Sequence, residues 1–142
     1  MSTDRLVQFL NERLDEEEAD ARAAFARSLS GQRRGQPEFS GRWGQLVDDI
    51  VRLEDGMRVG PTFWPPAVPH VLRHDPARVL ADVAAKRAII AEHKLLGSVY
   101  SDGILWCQTC TPRTVGPCVT LRLLAGPFAD HSDFRQEWLL NN

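Results

Sequence analysis

The feature that most constrains this chain is the position of its cysteines, which all fall within one short segment. Cys107, Cys110 and Cys118 give the spacing Cys-x2-Cys-x7-Cys, and no other cysteine occurs among the 142 residues. Two cysteines separated by two residues can direct both thiolates at one ion from a tight turn, and zinc takes four such ligands in a tetrahedron. The spacing therefore predicts a zinc-binding turn more readily than a disulfide framework.

A fourth zinc ligand has to come from outside the cysteines, and two histidines are candidates. We expect His93, because a helix end followed by a turn brings the chain back onto itself within a few residues. His131, at Cys118-x12-His, is the alternative. A zinc ion with four protein ligands is expected to be structural, because a catalytic zinc keeps an open position. A reading of the cysteines as small buried apolar residues also stays open, above all for Cys118.

Composition narrows the class of protein without naming an activity. The hydrophobic fraction is 43% and the charged fraction is 25%, which are ordinary values for a globular protein. A net charge of −2 gives no general attraction to nucleic acid or to an anionic membrane. The N-terminus is too acidic for a signal peptide, and an odd number of cysteines without one favours a reducing cytoplasm. We therefore expect a single cytoplasmic domain, residues 1–142, with no membrane association.

The first half of the chain predicts one helix, a hinge and a hairpin. Residues 3–29 carry an apolar stripe of helical period, and residues 30–41 form a hinge loop containing Gly, Ser and Pro. Residues 50–53 and 57–59 are expected to be strands joined by an Asp55-Gly56 turn. The apolar residues of 46–53 could instead line a helix, but their β-branched members favour strands. Four prolines within 60–69 argue against regular structure there.

The second half predicts three further helices around the cysteine turn. Asp75 is a suitable N-cap with Pro76 at the first helical position, and the apolar pattern continues to residue 96. Residues 98–117 are expected to form a short strand, the cysteine turn and an irregular return. Cys118 precedes a short apolar helix, and Asp130 or Ser132 caps a last helix ending near 138–140. The predicted fold class is α+β, a small and mostly helical body (42–142) behind the long first helix.

Two other clusters of potential ligands have simpler interpretations. His70-x3-His74 would place two imidazoles on one face of a helix, but the nearby prolines predict that residues 61–75 are mostly not helical. The acidic residues near the middle of the first helix are Glu16, Glu17, Glu18 and Asp20. They are expected to form a solvated surface, because no Glu-x-x-His or Glu-x-x-Glu partner accompanies them.

Three segments carry a resemblance to a known family. They are FLNERLDEEEADARA, RHDPARVLADVAAKRAIIAEH (containing HDPARVL) and CVTLRLLAGPFADHSDFRQEW (containing TLRLLA, ADH and EW). In them the chain resembles a family of small uncharacterised proteins from actinobacteria and actinophages, a domain of unknown function. The resemblance implies an intracellular protein with an α+β outline and no stated activity. The 15 arginines against two lysines are also typical of a GC-rich genome.

No nucleophile elbow, P-loop or dinucleotide-binding turn occurs in the sequence. We therefore predict a non-enzymatic interaction or accessory protein with a structural Zn²⁺ and another protein as its partner. One alternative is a small metal-dependent hydrolase that uses His70, His74 and the acidic helix. Another is a nucleic-acid-binding zinc module, since short zinc turns can serve that role.

Overall fold

A computed structural model of the chain describes residues 2–29, 42–43, 67–94, 106–107, 109–110 and 116–140. The α-helices in these ranges are α1 (Thr3–Leu29), α2 (Val68–Arg73), α3 (Pro76–His93) and α4 (Val119–Ala125). Two 3₁₀ turns, Gly126–Phe128 and Gln136–Trp138, follow α4. Within the described ranges no helix combines the length and the apolar character needed to cross a bilayer.

The predicted α+β fold class is wrong. The described residues are mostly helical and contain no β-strand; Trp43 and Trp106 form isolated bridges only. A strand ladder needs consecutive residues with extended backbone and free N–H groups. Before Cys118, Gly116 has a φ of 87° and Pro117 has no N–H to donate, so these two residues do not form a strand. The short strand expected between residue 98 and the cysteine turn falls mostly outside the described residues. The predicted hairpin over 50–59 and the hinge at 30–41 lie outside the described residues.

Helix α1 begins and ends where its apolar period predicts. Its buried apolar residues are Leu6, Phe9, Leu10, Leu14 and Ala21. Arg13 lies on the same stripe and is only 7% exposed, which its charge does not predict. A buried guanidinium must have partners, and His131, in the C-terminal part of the chain, is one partner of Arg13.

The chain packs as two compact units, one made of Met1–Asp15 with Ala84–Asn142 and the other of Glu16–Val83. Among the described residues, most of the buried apolar side chains belong to the first unit. Its buried apolar residues are Leu6, Phe9, Leu10, Leu14, Ile90, Cys107, Cys118, Leu121, Ala125 and Trp138. In the second unit the buried residues include Ala21, Asp75 and Val83.

An aromatic cluster organises the C-terminal end of the first unit. The Phe9 ring lies 5.0 Å from the Trp138 ring and 6.0 Å from the Phe134 ring, measured between centroids. The Arg13 guanidinium carbon lies 5.2 Å from the Phe9 ring centroid, and Arg13 Nη1 lies within 2.8 Å of both ring nitrogens of His131. These contacts explain how a charged side chain is held on the buried stripe of α1.

The predicted last helix starting at 130–132 is wrong, because residues 130–133 form turns and a bend, 134–135 are irregular, and only Gln136–Trp138 makes a 3₁₀ turn. Local hydrogen bonds compete with a helix there: the Asp133 N–H donates to His131 Nδ1 at 3.1 Å, and the Phe134 N–H donates to the His131 carbonyl at 2.9 Å. Arg122 of α4 holds the segment in place, since its Nε donates to the Trp138 carbonyl at 3.0 Å.

Two further helix predictions need correction. Helix α3 ends at His93 rather than residue 96; the apolar pair at 95–96 continues the period, so periodicity alone overestimates the helix. The proline-rich segment is also partly helical, because α2 includes Pro69 and His70. Pro69 occupies the first turn of α2, where a missing N–H breaks no helical hydrogen bond.

Asp75 caps α3, so its replacement tests the predicted start of that helix. The Arg78 N–H donates to Asp75 Oδ1 at 2.8 Å, and the Trp43 N–H donates to Oδ2 at 3.4 Å. We expect Asp75→Ala to lower the free energy of unfolding by about 1–2 kcal/mol, because both N–H groups lose their acceptor. Asp75→Asn keeps one acceptor oxygen for the Arg78 N–H and should therefore lose less stability than Asp75→Ala in urea denaturation. Equal losses in the two variants would contradict the capping role.

Candidate metal centre

Four side chains meet in the first unit, and we call them the thiol–imidazole cluster. They are His93, Cys107, Cys110 and Cys118, and their potential ligand atoms all lie within 4.8 Å of one another. Cys107 and Cys118 are buried, whereas His93 and Cys110 are half-buried. No disulfide joins the three cysteines. The cluster could therefore hold a metal ion. Its donors are three sulfurs and one ring nitrogen, which suit a soft or borderline transition metal.

His93 reaches the cluster from the last turn of α3. It lies three residues after Ile90, which is 4% exposed, so the two side chains share the inward face of the helix. The ring of His93 turns its Nδ1 atom toward the sulfurs. The end of the helix thus places the imidazole where the cysteine turn passes.

The cysteine turn is tied to the end of the same helix. Thr109 lies between Cys107 and Cys110, and its hydroxyl donates to the backbone carbonyl of Glu92 at 3.1 Å. The Glu92 carboxylate is also 3.1 Å from that hydroxyl. Because Glu92 precedes His93, this pair of contacts fixes the turn relative to the imidazole.

Cys118 enters the cluster from the start of α4. It occupies the N-cap position with an extended backbone, φ −68° and ψ 163°, and its carbonyl accepts the first helical hydrogen bond from the Arg122 N–H at 3.1 Å. In the first turn of α4, the Thr120 hydroxyl lies 3.8 Å from the Cys110 sulfur. The same helix therefore supplies one sulfur and a polar neighbour to another.

The number of sulfurs around the His93 ring nitrogen exceeds what hydrogen bonding can account for. Its Nδ1 lies 3.5 Å from the Cys107 sulfur, 3.4 Å from Cys110 and 3.7 Å from Cys118. A neutral ring nitrogen has one lone pair and accepts one S–H hydrogen bond, so three sulfurs at these distances cannot all donate to it. A cation between the four atoms would satisfy all of them together.

The protonation of the thiols differs from one cysteine to the next. Burial raises the pKa of Cys107, but backbone hydrogen bonds from Cys110 and Thr109 outweigh it and leave the pKa below its ordinary value of 9.0. Burial, together with the neighbouring Cys110 and Cys107, raises the pKa of Cys118 to about 11, only partly opposed by the Leu121 backbone. The neighbouring sulfurs thus disfavour ionisation of Cys118, and a bound cation would favour it instead.

His131, the alternative fourth ligand, lies elsewhere in the first unit. Its ring contacts Arg13 and lies 5.7 Å from the Phe9 ring, measured between centroids. Among the described residues, the only group of three or more potential ligands is the thiol–imidazole cluster, and His131 is not a member of it. Sequence spacing permits either histidine as the fourth ligand. In the structure His93 lies with the cysteines, whereas His131 lies in the aromatic cluster.

The residues of the hydrolase alternative do not form a comparable group among the described residues. The Arg22 side chain pairs with Glu18 at 2.5 Å within α1, and both charges are on the surface. His70 and His74 lie together at the end of α2 without a neighbouring carboxylate in such a group. The acidic stretch of α1 is thus an exposed or half-buried helix surface, as its composition indicates.

Glu92, Thr109 and Thr120 support the cluster and were not indicated by the sequence analysis. Their contacts depend on the ends of two helices meeting in space, which spacing along the chain does not describe. The position of Thr109 inside the Cys-x2-Cys turn is the one local signal, since a hydroxyl there can bond to a nearby backbone carbonyl.

Residues 3–140 match the model of DUF6221, a family of unknown function, and the chain belongs to this family. No curated protein matches the chain, and no solved structure matches it. The predicted membership in a family of unknown function is confirmed, while the actinobacterial or phage origin stays a prediction.

Proposed function

We propose that the protein is a non-enzymatic interaction or accessory protein in which the thiol–imidazole cluster holds one structural zinc ion. The observation that supports this most directly is the spacing of three sulfurs around His93 Nδ1, at 3.4–3.7 Å. Zinc bond lengths of about 2.3 Å to sulfur and 2.0–2.1 Å to nitrogen, at tetrahedral angles, place sulfur and nitrogen about 3.6 Å apart. The three sulfur-to-nitrogen distances thus match those that a tetrahedral zinc ion needs.

The chemistry of the donors favours zinc over harder ions. Three thiolates and one imidazole form a soft set, whereas Mg²⁺ and Ca²⁺ take oxygen ligands. Four protein ligands complete a tetrahedron and leave no position for a water or a substrate, as in structural zinc sites. The ion would therefore join α3, the cysteine turn and α4, and would take no part in a reaction.

With the metal assigned a structural role, the exposed surface of the protein is where we place its function, as an interaction with a partner. The start of α4, next to Cys118, leaves two apolar side chains exposed, Val119 at 48% and Leu123 at 60%. They lie four residues apart on one side of the helix, and a protein partner would remove them from water. A net charge of −2 favours such a partner over a phosphate backbone.

The proposal includes a cytoplasmic location and an origin in an actinobacterium or its phage. A reducing compartment keeps the three cysteines as thiols that are available to a metal. The excess of arginine over lysine and the resemblance of three segments support the origin.

Metal analysis of the protein, purified without a tag and dialysed against a weak chelator, tests the proposal. We expect about one zinc per chain, the stoichiometry of a four-ligand site. Cobalt exchanged for zinc should give the intense visible bands of a tetrahedral ion together with thiolate-to-cobalt charge transfer. Protein without bound zinc that also gives no tetrahedral cobalt spectrum would contradict the proposal.

A pair of histidine variants tests the fourth ligand. His93→Ala should lose the thiolate-rich tetrahedral cobalt spectrum or bind cobalt more weakly, because one of four ligands is gone. His131→Ala removes an imidazole from the aromatic cluster and should keep the parent spectrum, even if the protein melts earlier. If His93→Ala kept the tetrahedral cobalt spectrum and His131→Ala lost it, His131 rather than His93 would be the fourth ligand.

A further inference from the structure

A second pair of potential metal ligands lies at the end of α2, in the second unit. His70 and His74 are four residues apart, and both are exposed. Their ring centroids are 4.3 Å apart, with 34° between the ring planes. The helix that brings them together forms despite the prolines, since Pro69 stands in its first turn. Two imidazoles therefore lie side by side in contact with solvent.

The hydrogen bonding of His74 leaves its Nε2 atom available to bind a metal. His74 Nδ1 lies 2.8 Å from the backbone carbonyl of His70. A carbonyl oxygen only accepts, so Nδ1 carries the proton, and in the neutral ring the lone pair is on Nε2. Metal-binding histidines commonly donate their second N–H to a backbone carbonyl in this way, which fixes the ring and its tautomer.

We propose that His70 and His74 form an exposed two-imidazole site for a divalent transition metal, separate from the thiol–imidazole cluster. Imidazole suits Cu²⁺, Ni²⁺ and Zn²⁺, and the general order of affinities makes Cu²⁺ the tightest of them. Mg²⁺ and Ca²⁺ take oxygen ligands and are not expected to bind. Two protein ligands leave the remaining coordination positions to water, so the site binds and releases its ion more readily than a closed one.

Titration of untagged, zinc-saturated protein with Ni²⁺, followed by calorimetry, tests the site. His70→Ala and His74→Ala should each weaken Ni²⁺ binding by at least about 10-fold, a loss that a supporting residue alone can produce at a metal site. The second substitution should cost less affinity than the first, because the chelate is already lost with its first ligand and only a single imidazole remains to be removed. His131→Ala is the control and should leave the Ni²⁺ affinity unchanged.

Cu²⁺ provides the second readout. Electron paramagnetic resonance of about one equivalent of Cu²⁺ should show coupling to two nitrogens in the parent and to one in either single variant. Losses of less than about 2-fold in both single variants, or coupling to a single nitrogen in the parent, would overturn the proposal. Because both substitutions are at exposed positions, unchanged melting curves should accompany the lost affinity. The zinc bound at the thiol–imidazole cluster is measured in a separate experiment. The proposal for His70 and His74 can therefore fail while the zinc proposal holds, and the reverse.

Discussion

Replacing Cys118 by serine is expected to remove the metal and lower the melting temperature by about 10 °C or more. Thiolate ligation makes the metal-binding free energy part of the folding free energy, and structural zinc sites contribute on the order of 10 kcal/mol in isolated peptides. A domain stabilised by about 5–15 kcal/mol depends heavily on such a term. Cys118 is 1% exposed and begins α4, so its loss removes both a ligand and the fixed start of that helix. Metal content and thermal unfolding are measured on the same sample.

The neighbouring residue supplies the control. Val119→Ser makes the same new side chain one position later, where the parent residue is 48% exposed, and should keep both metal and melting temperature. Cys118→Ser could melt earlier because a metal ligand is lost or because a hydroxyl is buried, and a strong chelator distinguishes these two causes. It should lower the melting temperature of the parent and leave that of Cys118→Ser unchanged. A chelator effect of equal size in both proteins would show that Cys118 is not a ligand.

Leu121→Ala is expected to lower the free energy of unfolding by about 2–5 kcal/mol, measured by urea denaturation of the metal-loaded protein. Leu121 is fully buried in α4, and truncation leaves a cavity in the core of the first unit. Leu123→Ala makes the same substitution two residues later in the same helix, where the side chain is 60% exposed. It should change the stability by no more than about 0.5 kcal/mol.

This pair isolates burial, because helix propensity and the number of atoms removed are the same in both variants. Similar losses for Leu121→Ala and Leu123→Ala would mean that α4 is rotated about its axis from the orientation described here. A loss of stability in Leu123→Ala alone would mean that Leu123, and not Leu121, faces the core. Either result would also change which residues of α4 accompany Cys118 toward the cluster.

The helices could be predicted from the sequence where the apolar period and a start signal agree. The stripe of α1, the Asp75-Pro76 start of α3 and the apolar run after Cys118 each correspond to an observed helix. Periodicity was less informative at ends and in short elements. It extends α3 past His93, and it predicts a final helix where turns around His131 satisfy the backbone instead.

The proximity of the four cluster residues could be anticipated from spacing, but the choice between His93 and His131 depends on three-dimensional packing. His93 follows the buried Ile90 on the inward face of α3, whereas His131 is engaged by Arg13. The burial of Arg13 could not be anticipated, since a charged residue within an apolar stripe usually indicates an exposed position. One of its partners, His131, lies 118 residues away along the chain.

The thiol–imidazole cluster has a consequence for the unfolded chain as well as the folded one. Its members are spread along the sequence, with Cys107 14 positions after His93 and Cys118 25 positions after His93. An ion held by all four would act as a covalent-like cross-link, and closing a loop of that larger size removes about 3–4 kcal/mol of unfolded-chain entropy. That contribution grows only with the logarithm of loop length. Insertions between His93 and Cys107 would therefore change it little, and the length of that connection is free to vary while the cross-link is kept.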